Sequence, residues 1–160
     1  MVRGHTIDLA GLLNGSHQVM QVEDDVPIDS FVGIVFRNPA RVRLRVRPAD
    51  GDLEVRGSVD AHAAGLCDLC LTPIEFDVHG DVDERLDLTP GGSTDPFGEN
   101  NVLAGDRLDV ADLAQQVLLS ALPMGVRCSS ECKGLCPACG ADLNAGACSH
   151  ARNGEKSWQT

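Results

Sequence analysis

The sequence contains no tyrosine, one tryptophan and four phenylalanines among 160 residues. Any core must therefore be aliphatic, built from valine, leucine, isoleucine and alanine, and base stacking on aromatic side chains has little to draw on. No apolar run approaches the roughly 20 residues that cross a bilayer. The opening MVRGHTIDLAGLLNG lacks the basic stretch and unbroken apolar run of a signal peptide. The expectation is a cytoplasmic protein with no membrane contact. Basic residues are outnumbered, 13 against 24 acidic ones, for a net charge of −11. A field of that sign repels a phosphate backbone at long range. It excludes a nucleic-acid binder driven by overall charge and suits a basic protein partner better. The odd count of seven cysteines also argues against a disulfide framework, since one thiol would be left unpaired.

Those seven cysteines and one histidine carry most of the information. Cys67 and Cys70 sit in CDLC; Cys128, Cys132, Cys136 and Cys139 fall in RCSSECKGLCPACG; Cys148 and His150 close the set in ACSH. In a compartment where thiols stay reduced, cysteines clustered at such short gaps point to metal. Structural zinc takes four Cys or His ligands in a tetrahedron, and these eight side chains divide into two such sets with nothing left over.

Around them the chain reads as mostly strand. SFVGIVF (30–36) is a short apolar run of the kind that forms a buried strand, whereas Asp24, Asp25, Pro27 and Asp29 read as loop. Arg41, Arg43, Arg45 and Arg47 alternate with Val42, Leu44 and Val46, a strand with one apolar and one basic face. PADGD (48–52) supplies a turn, and Leu53, Val55 and Val59 continue into the second arm of a hairpin. Ile74, Phe76, Val78, Val82, Leu86 and Leu88 predict a third strand, which places CDLC at the turn between two strands. TPGGSTDPFGENN (89–101) is loop by composition. LDVADLAQQVLLSALP predicts a helix capped by Asp109, with an apolar stripe of Val110, Leu113, Val117 and Ala121, stopped by Pro123. After Gly125 there is too little apolar material for a core, so metal must organise the tail. The fold class expected is α+β: a twisted antiparallel sheet with one main packed helix and a C-terminal zinc-organised tail. Residues 1–126 form the β-rich domain and 127–160 the zinc-binding tail, joined by a shared zinc site.

Spacing suggests how the ligands divide. CPACG (136–140) gives the tight turn in which backbone N–H groups bond to thiolates, and Cys148 and His150 follow closely enough to return to the same ion. Site two is then Cys136, Cys139, Cys148 and His150, and site one is Cys67, Cys70, Cys128 and Cys132. A rival partition moves Cys128 or Cys132 into site two in place of His150 and leaves site one a ligand short. Two Zn2+ per chain follow from the first partition. Iron in the CPACG site is an alternative, since rubredoxin-like knuckles use the same turn.

CDLCL, a helix ending in ALP, the string CKGLCPACGADLN and a closing Cys-x-His together resemble the YceD family, the large ribosomal RNA subunit accumulation proteins. The likeness runs from about residue 30 to 150. It implies a bacterial factor that promotes accumulation of large-subunit rRNA and assembly of the large ribosomal subunit, with no catalytic residues and no small-molecule substrate. The implied partner is a large-subunit precursor, through its rRNA or a basic ribosomal protein. Family branches that lack the second cysteine set keep pairs at the positions of Cys67 and Cys70 and of Cys128 and Cys132, which favours the first partition.

Other features have plainer readings. Arg37, Arg41, Arg43, Arg45 and Arg47 are the candidate rRNA-contacting stripe, or else a solvated face paired across the hairpin with Glu54 or Asp60. His5, His17, His62 and His79 have no ligand spacing, and Lys133 reads as solvent-exposed. The acidic stretch 94–99 reads as linker or as a dock for a basic protein. CDLC as a thioredoxin-like pair would make the protein a thiol- or metal-dependent redox enzyme, but such a pair opens a helix, and this one precedes Thr72, Pro73 and a strand. A specific RNA-binding zinc protein is the third reading.

Overall fold

The computed structural model describes residues 5–31, 33–88, 102–146 and 148–150. Among these, the strands are β1 (Thr6–Asp8), β2 (Met20–Val26), β3 (Val35–Phe36), β4 (Ala40–Ala49), β5 (Asp52–Leu66), β6 (Pro73–Asp87), β7 (Leu103–Ala104) and β8 (Arg107–Asp109). The helices are the short α1 (Ala10–Leu13) and α2 (Val110–Ala121). The fold is α+β and mostly antiparallel. The chain forms two compact units: Met1–Ala63 with Phe76–Leu122, and Ala64–Glu75 with Pro123–Thr160.

In the first unit a larger sheet runs β2-β4-β5, with β3 and β6 also paired to β5, and a smaller one runs β1-β8-β7. The alternation in β4 has the expected consequence. Ala40, Val42, Leu44 and Val46 are buried while the arginines between them are exposed. The β4–β5 turn is closed by Asp50 and Gly51, both at positive φ (52° and 92°), the backbone that a two-residue Asp-Gly hairpin turn requires. The core is aliphatic, as the shortage of aromatics demands: Leu53, Val55, Val59, Val82, Leu86, Leu108 and Leu118 are among its members. Helix α2 contributes Val110, Leu113, Ala114, Val117 and Leu118 to that core, and the Asp109 side chain accepts a hydrogen bond from the Asp112 N–H.

Two expectations are corrected. Asp24 and Asp25 are not loop; they lie in β2, paired to β4 with Glu23 opposite Arg43 and Asp25 opposite Arg41. An acidic strand is stabilised where it lies against a basic one, a cross-strand term that a reading of either strand alone omits. The apolar run 30–36 is not one buried strand: among its described residues only Val35 and Phe36 form a strand, β3, and neither is fully buried. Phe31 and Ile34 exchange backbone hydrogen bonds (3.0 and 2.8 Å) around Gly33 at φ 79°, so the chain reverses there and leaves Phe31 and Val35 half exposed. The 89–101 segment, with its acidic stretch 94–99, lies outside the described residues.

Candidate metal centres

The second unit begins at the turn between β5 and β6, where Cys67-Asp-Leu-Cys70 is folded into a knuckle. The Leu71 N–H donates to the Cys67 carbonyl (2.8 Å), and the Cys67 N–H donates to the Thr72 carbonyl (2.9 Å). Cys136-Pro-Ala-Cys139 repeats the same pattern: the Gly140 N–H donates to the Cys136 carbonyl (2.8 Å) and the Cys136 N–H to the Ala141 carbonyl (2.8 Å). Both turns need positive φ at the residue after the second cysteine, and it is 60° at Leu71 and 72° at Gly140. The Pro and Gly of CPACG advertise this turn in the sequence. CDLCL builds it with a leucine, which sequence reading has no reason to expect there.

The knuckles are joined to the rest of the unit by short backbone contacts. The Asp68 N–H donates to the Val126 carbonyl (2.9 Å), and the Val126 N–H donates back to the Asp68 carboxylate (2.7 Å). The Leu135 N–H donates to the Leu69 carbonyl (3.0 Å). Residues 133–144 form a small hairpin around the second knuckle, with Leu135 bridged to Asp142 and the Leu143 N–H donating to the Gly134 carbonyl (3.0 Å).

Two sets of side chains converge. One candidate ligand atom each from Cys67, Cys70, Cys128 and Cys132 lies within 4.8 Å of the others, and the same holds for Cys136, Cys139, Cys148 and His150. Sulfurs about 2.3 Å from a tetrahedral zinc would stand about 3.8 Å apart. Cys67 Sγ and Cys132 Sγ are separated by 3.8 Å, and Cys70 Sγ and Cys128 Sγ by 3.6 Å. These distances exclude disulfide bonds, which are about 2.05 Å long, and all seven cysteines are free. Cys67, Cys70 and Cys136 are buried.

Backbone dipoles prepare these sulfurs for the thiolate form that a metal needs. Burial works to raise the Cys67 thiol, but the amides of Cys128, Cys70 and Leu69 outweigh it and bring it down to about 6. The amides of Ala138 and Cys139 hold Cys136 at about 7. Within each set a second thiol moves the other way: its neighbours Cys132 and Cys70 push Cys128 up to about 12. Negative sulfurs this close repel one another, so a thiol beside a thiolate holds its proton more tightly.

The arginines are placed differently. Arg41, Arg43, Arg45 and Arg47 all lie on the exposed face of β4, and Arg37, just beyond β3, is exposed too, its N–H bonded to the His62 carbonyl (3.0 Å). Acidic groups meet much of this stripe. Arg43 pairs with Asp60 (2.6 Å). Arg47 pairs with buried Glu54, which also holds Arg56 (2.8 Å). Hydrogen bonding from Arg47 lowers Glu54 below the usual carboxylate range despite burial. The histidines join carboxylates as well: His5 to Asp24 (2.7 Å), His62 to Asp77 (2.9 Å) and His79 to Asp60 (2.6 Å). Lys133 is exposed. Among the described residues no helix is long and apolar enough to cross a membrane.

Comparison with known proteins singles out the part of the chain that holds the cysteines. The family model for the large ribosomal RNA subunit accumulation protein YceD matches residues 55–160. That span contains all eight candidate ligands and leaves the five arginines outside. An uncharacterized protein of Mycobacterium tuberculosis is 29% identical over 146 residues, covering 86% of this chain and 70% of the relative; one from Mycobacterium bovis matches to the same extent. An uncharacterized protein of Mycobacterium leprae is 32% identical over 119 residues, covering 71% of this chain and 53% of the relative. No solved structure matches.

Proposed function

This chain belongs to the YceD family of large ribosomal RNA subunit accumulation proteins, and from that premise we propose that it is a non-enzymatic cytoplasmic factor in assembly of the large ribosomal subunit, shaped by two structural zinc ions. The observation that carries the zinc assignment is the pairing of two convergent four-ligand sets with a unit that buries almost nothing else. Its buried apolar side chains among the described residues are Ala64, Cys67, Cys70 and Cys136. Four protein ligands on an ion close its coordination sphere, and closed zinc sites are structural rather than catalytic. The first site takes Cys67, Cys70, Cys128 and Cys132, and the second takes Cys136, Cys139, Cys148 and His150. In this reading the ions hold the module that contains the β5–β6 turn, while the β-rich domain, with α2 packed on its twisted sheet, has its own aliphatic core.

The partner that suits an acidic chain is a basic ribosomal protein, or rRNA through a local patch, on a large-subunit precursor. The redox reading of CDLC loses ground because the pair lies between two strands and opens no helix, and because its sulfurs converge with those of Cys128 and Cys132. The arginine stripe gives the RNA-binding reading little support, since its ion pairs with Asp60 and Glu54 spend much of its charge within the sheet. The test is to tag the protein in growing cells and separate ribosomal particles by sedimentation. Co-migration with large-subunit precursors, lost on Cys136→Ser, is the expected result. A protein that stays at the top of the gradient under all conditions would sink the assembly role.

A further inference from the structure

The two sets of ligands are connected by one side chain. Asn144 lies in the second module, between Cys139 and Cys148, yet its Nδ2 group donates to Cys132 Sγ of the first set (3.5 Å). Its carboxamide is fixed on both sides. Nδ2 also donates to Asp142 Oδ1 (2.8 Å), and Oδ1 accepts the Lys133 N–H (2.8 Å). The Asn144 N–H donates to Asp142 Oδ1 as well (2.9 Å). Lys133 and Asn144 thereby close the small hairpin whose turn is the CPACG knuckle. The amide that reaches Cys132 is thus held by the element that the second ion would fold.

The two centres also differ in what they require. Four thiolates on one Zn2+ leave a net charge of −2, whereas three thiolates and an imidazole leave −1. Surplus charge on sulfur is dispersed by hydrogen bonds. Beside the first set stand two polar side chains: Asn144, which donates to Cys132 Sγ, and Thr72, whose Oγ1 accepts from the Cys70 thiol (3.2 Å) and whose hydroxyl could donate once that sulfur is a thiolate. In the second knuckle the position equivalent to Thr72 is Ala141, which carries no donor.

We propose that Asn144 is a positioning residue that couples the two metal centres, so that filling the Cys136/Cys139/Cys148/His150 site raises the affinity of the Cys67/Cys70/Cys128/Cys132 site. The inference rests on both sets binding metal, as argued above. Coupling of this kind is reciprocal: occupancy of the first site tightens the second by the same factor.

The test is titration of the metal-stripped full chain with Co2+ alone, following thiolate-to-cobalt charge-transfer and d–d absorption. The wild type should take up two equivalents cooperatively. Asn144→Ala should still take up two, but with affinity at the first site lowered about tenfold, the low end of the effect of removing an outer-shell partner, and with cooperativity gone. Its first-site charge-transfer band should move to lower energy, because a thiolate stripped of a hydrogen bond is a better electron donor. Asn144→Asp keeps the acceptor for Lys133 but turns a carboxylate toward Cys132, and should weaken the first site further. Cys136→Ser with Cys139→Ser, which empties the second site, should weaken the first by the same factor as Asn144→Ala, and combining all three should cost nothing more. Wild-type uptake of two ions with an unchanged Asn144→Ala titration overturns the coupling alone. A wild type that takes up no cobalt overturns both the coupling and the metal assignment.

Discussion

Two residues of the cysteine-bearing unit occupy backbone states that decide how well they can be replaced. Leu71 sits at φ 60° with its side chain 56% exposed, so it bears the left-handed penalty of about 1–2 kcal/mol with little packing to offset it. Leu71→Gly should stabilise the metal-loaded protein by up to about 1 kcal/mol, read as a raised urea midpoint at unchanged slope. Gly134 is the opposite case. Its φ is 71°, and a Cβ there would lie 3.0 Å from the Leu69 carbonyl oxygen, so Gly134→Ala should cost about 1–2 kcal/mol and slow metal uptake. His79 gives a pH signature. Its bond to Asp60 raises the imidazole above 6.5, and that of Asp60 falls below 3.8, chiefly through His79 and against burial. The histidine's contribution is therefore fully present below its unfolded value of 6.5 and is lost as pH rises through the raised folded value. His79→Gln should lower the urea midpoint near about pH 5.5 and leave it unchanged near about pH 9; an equal loss at both would exclude the ion pair as the cause. At this scale the candidate ligands were legible, because ligand chemistry is a matter of residue type and spacing. The strained Leu71 was not, because only the fold reveals φ.

Among elements, β4 and α2 are written in their own residues. Period 2 in one and a capped apolar stripe in the other need no neighbours to be recognised. The strand β2 and the turn at Gly33 depend on neighbours, and they are where local reading fails: carboxylates that look like loop become strand once arginines stand opposite. The same cross-strand logic separates two arginines of the stripe. Arg43 faces Glu23 across β2 and bonds Asp60, whereas Arg45 lies between Gln21 and Arg56. Arg43→Glu should destabilise the sheet by placing a carboxylate beside two others. Arg45→Glu should be neutral or slightly stabilising, within about 0.5 kcal/mol, because it relieves a like-charge pair. Thermal melts of the two variants separate these outcomes. If Arg45→Glu leaves stability intact as expected but also releases the protein from ribosomal precursors, the stripe has a binding role.

Across the whole molecule the two units differ in what they bury. The first has a continuous aliphatic core drawn from both sheets and both helices. The second keeps Leu66, Leu69, Leu71 and Met124 at the surface, with relative exposures of 51%, 38%, 56% and 107%, and buries Cys67, Cys70 and Cys136. Hydrophobic burial cannot account for order in a segment arranged this way, whereas structural zinc supplies about 10–16 kcal/mol of apparent binding energy in small fingers. That exceeds the net stability of many whole domains, about 5–15 kcal/mol. Removal of metal should therefore act on one unit and spare the other. After exhaustive chelation under reducing conditions, amide exchange in peptides covering 64–75 and 123–146 should approach unfolded-chain rates, while β4 and α2 stay protected. Adding zinc back should restore protection only in the first two. If those peptides remain protected in protein shown by elemental analysis to be metal-free, the cysteines are not what holds the module. If β4 and α2 are lost along with them, the aliphatic core is not self-sufficient, and the ions stabilise the molecule as one cooperative body.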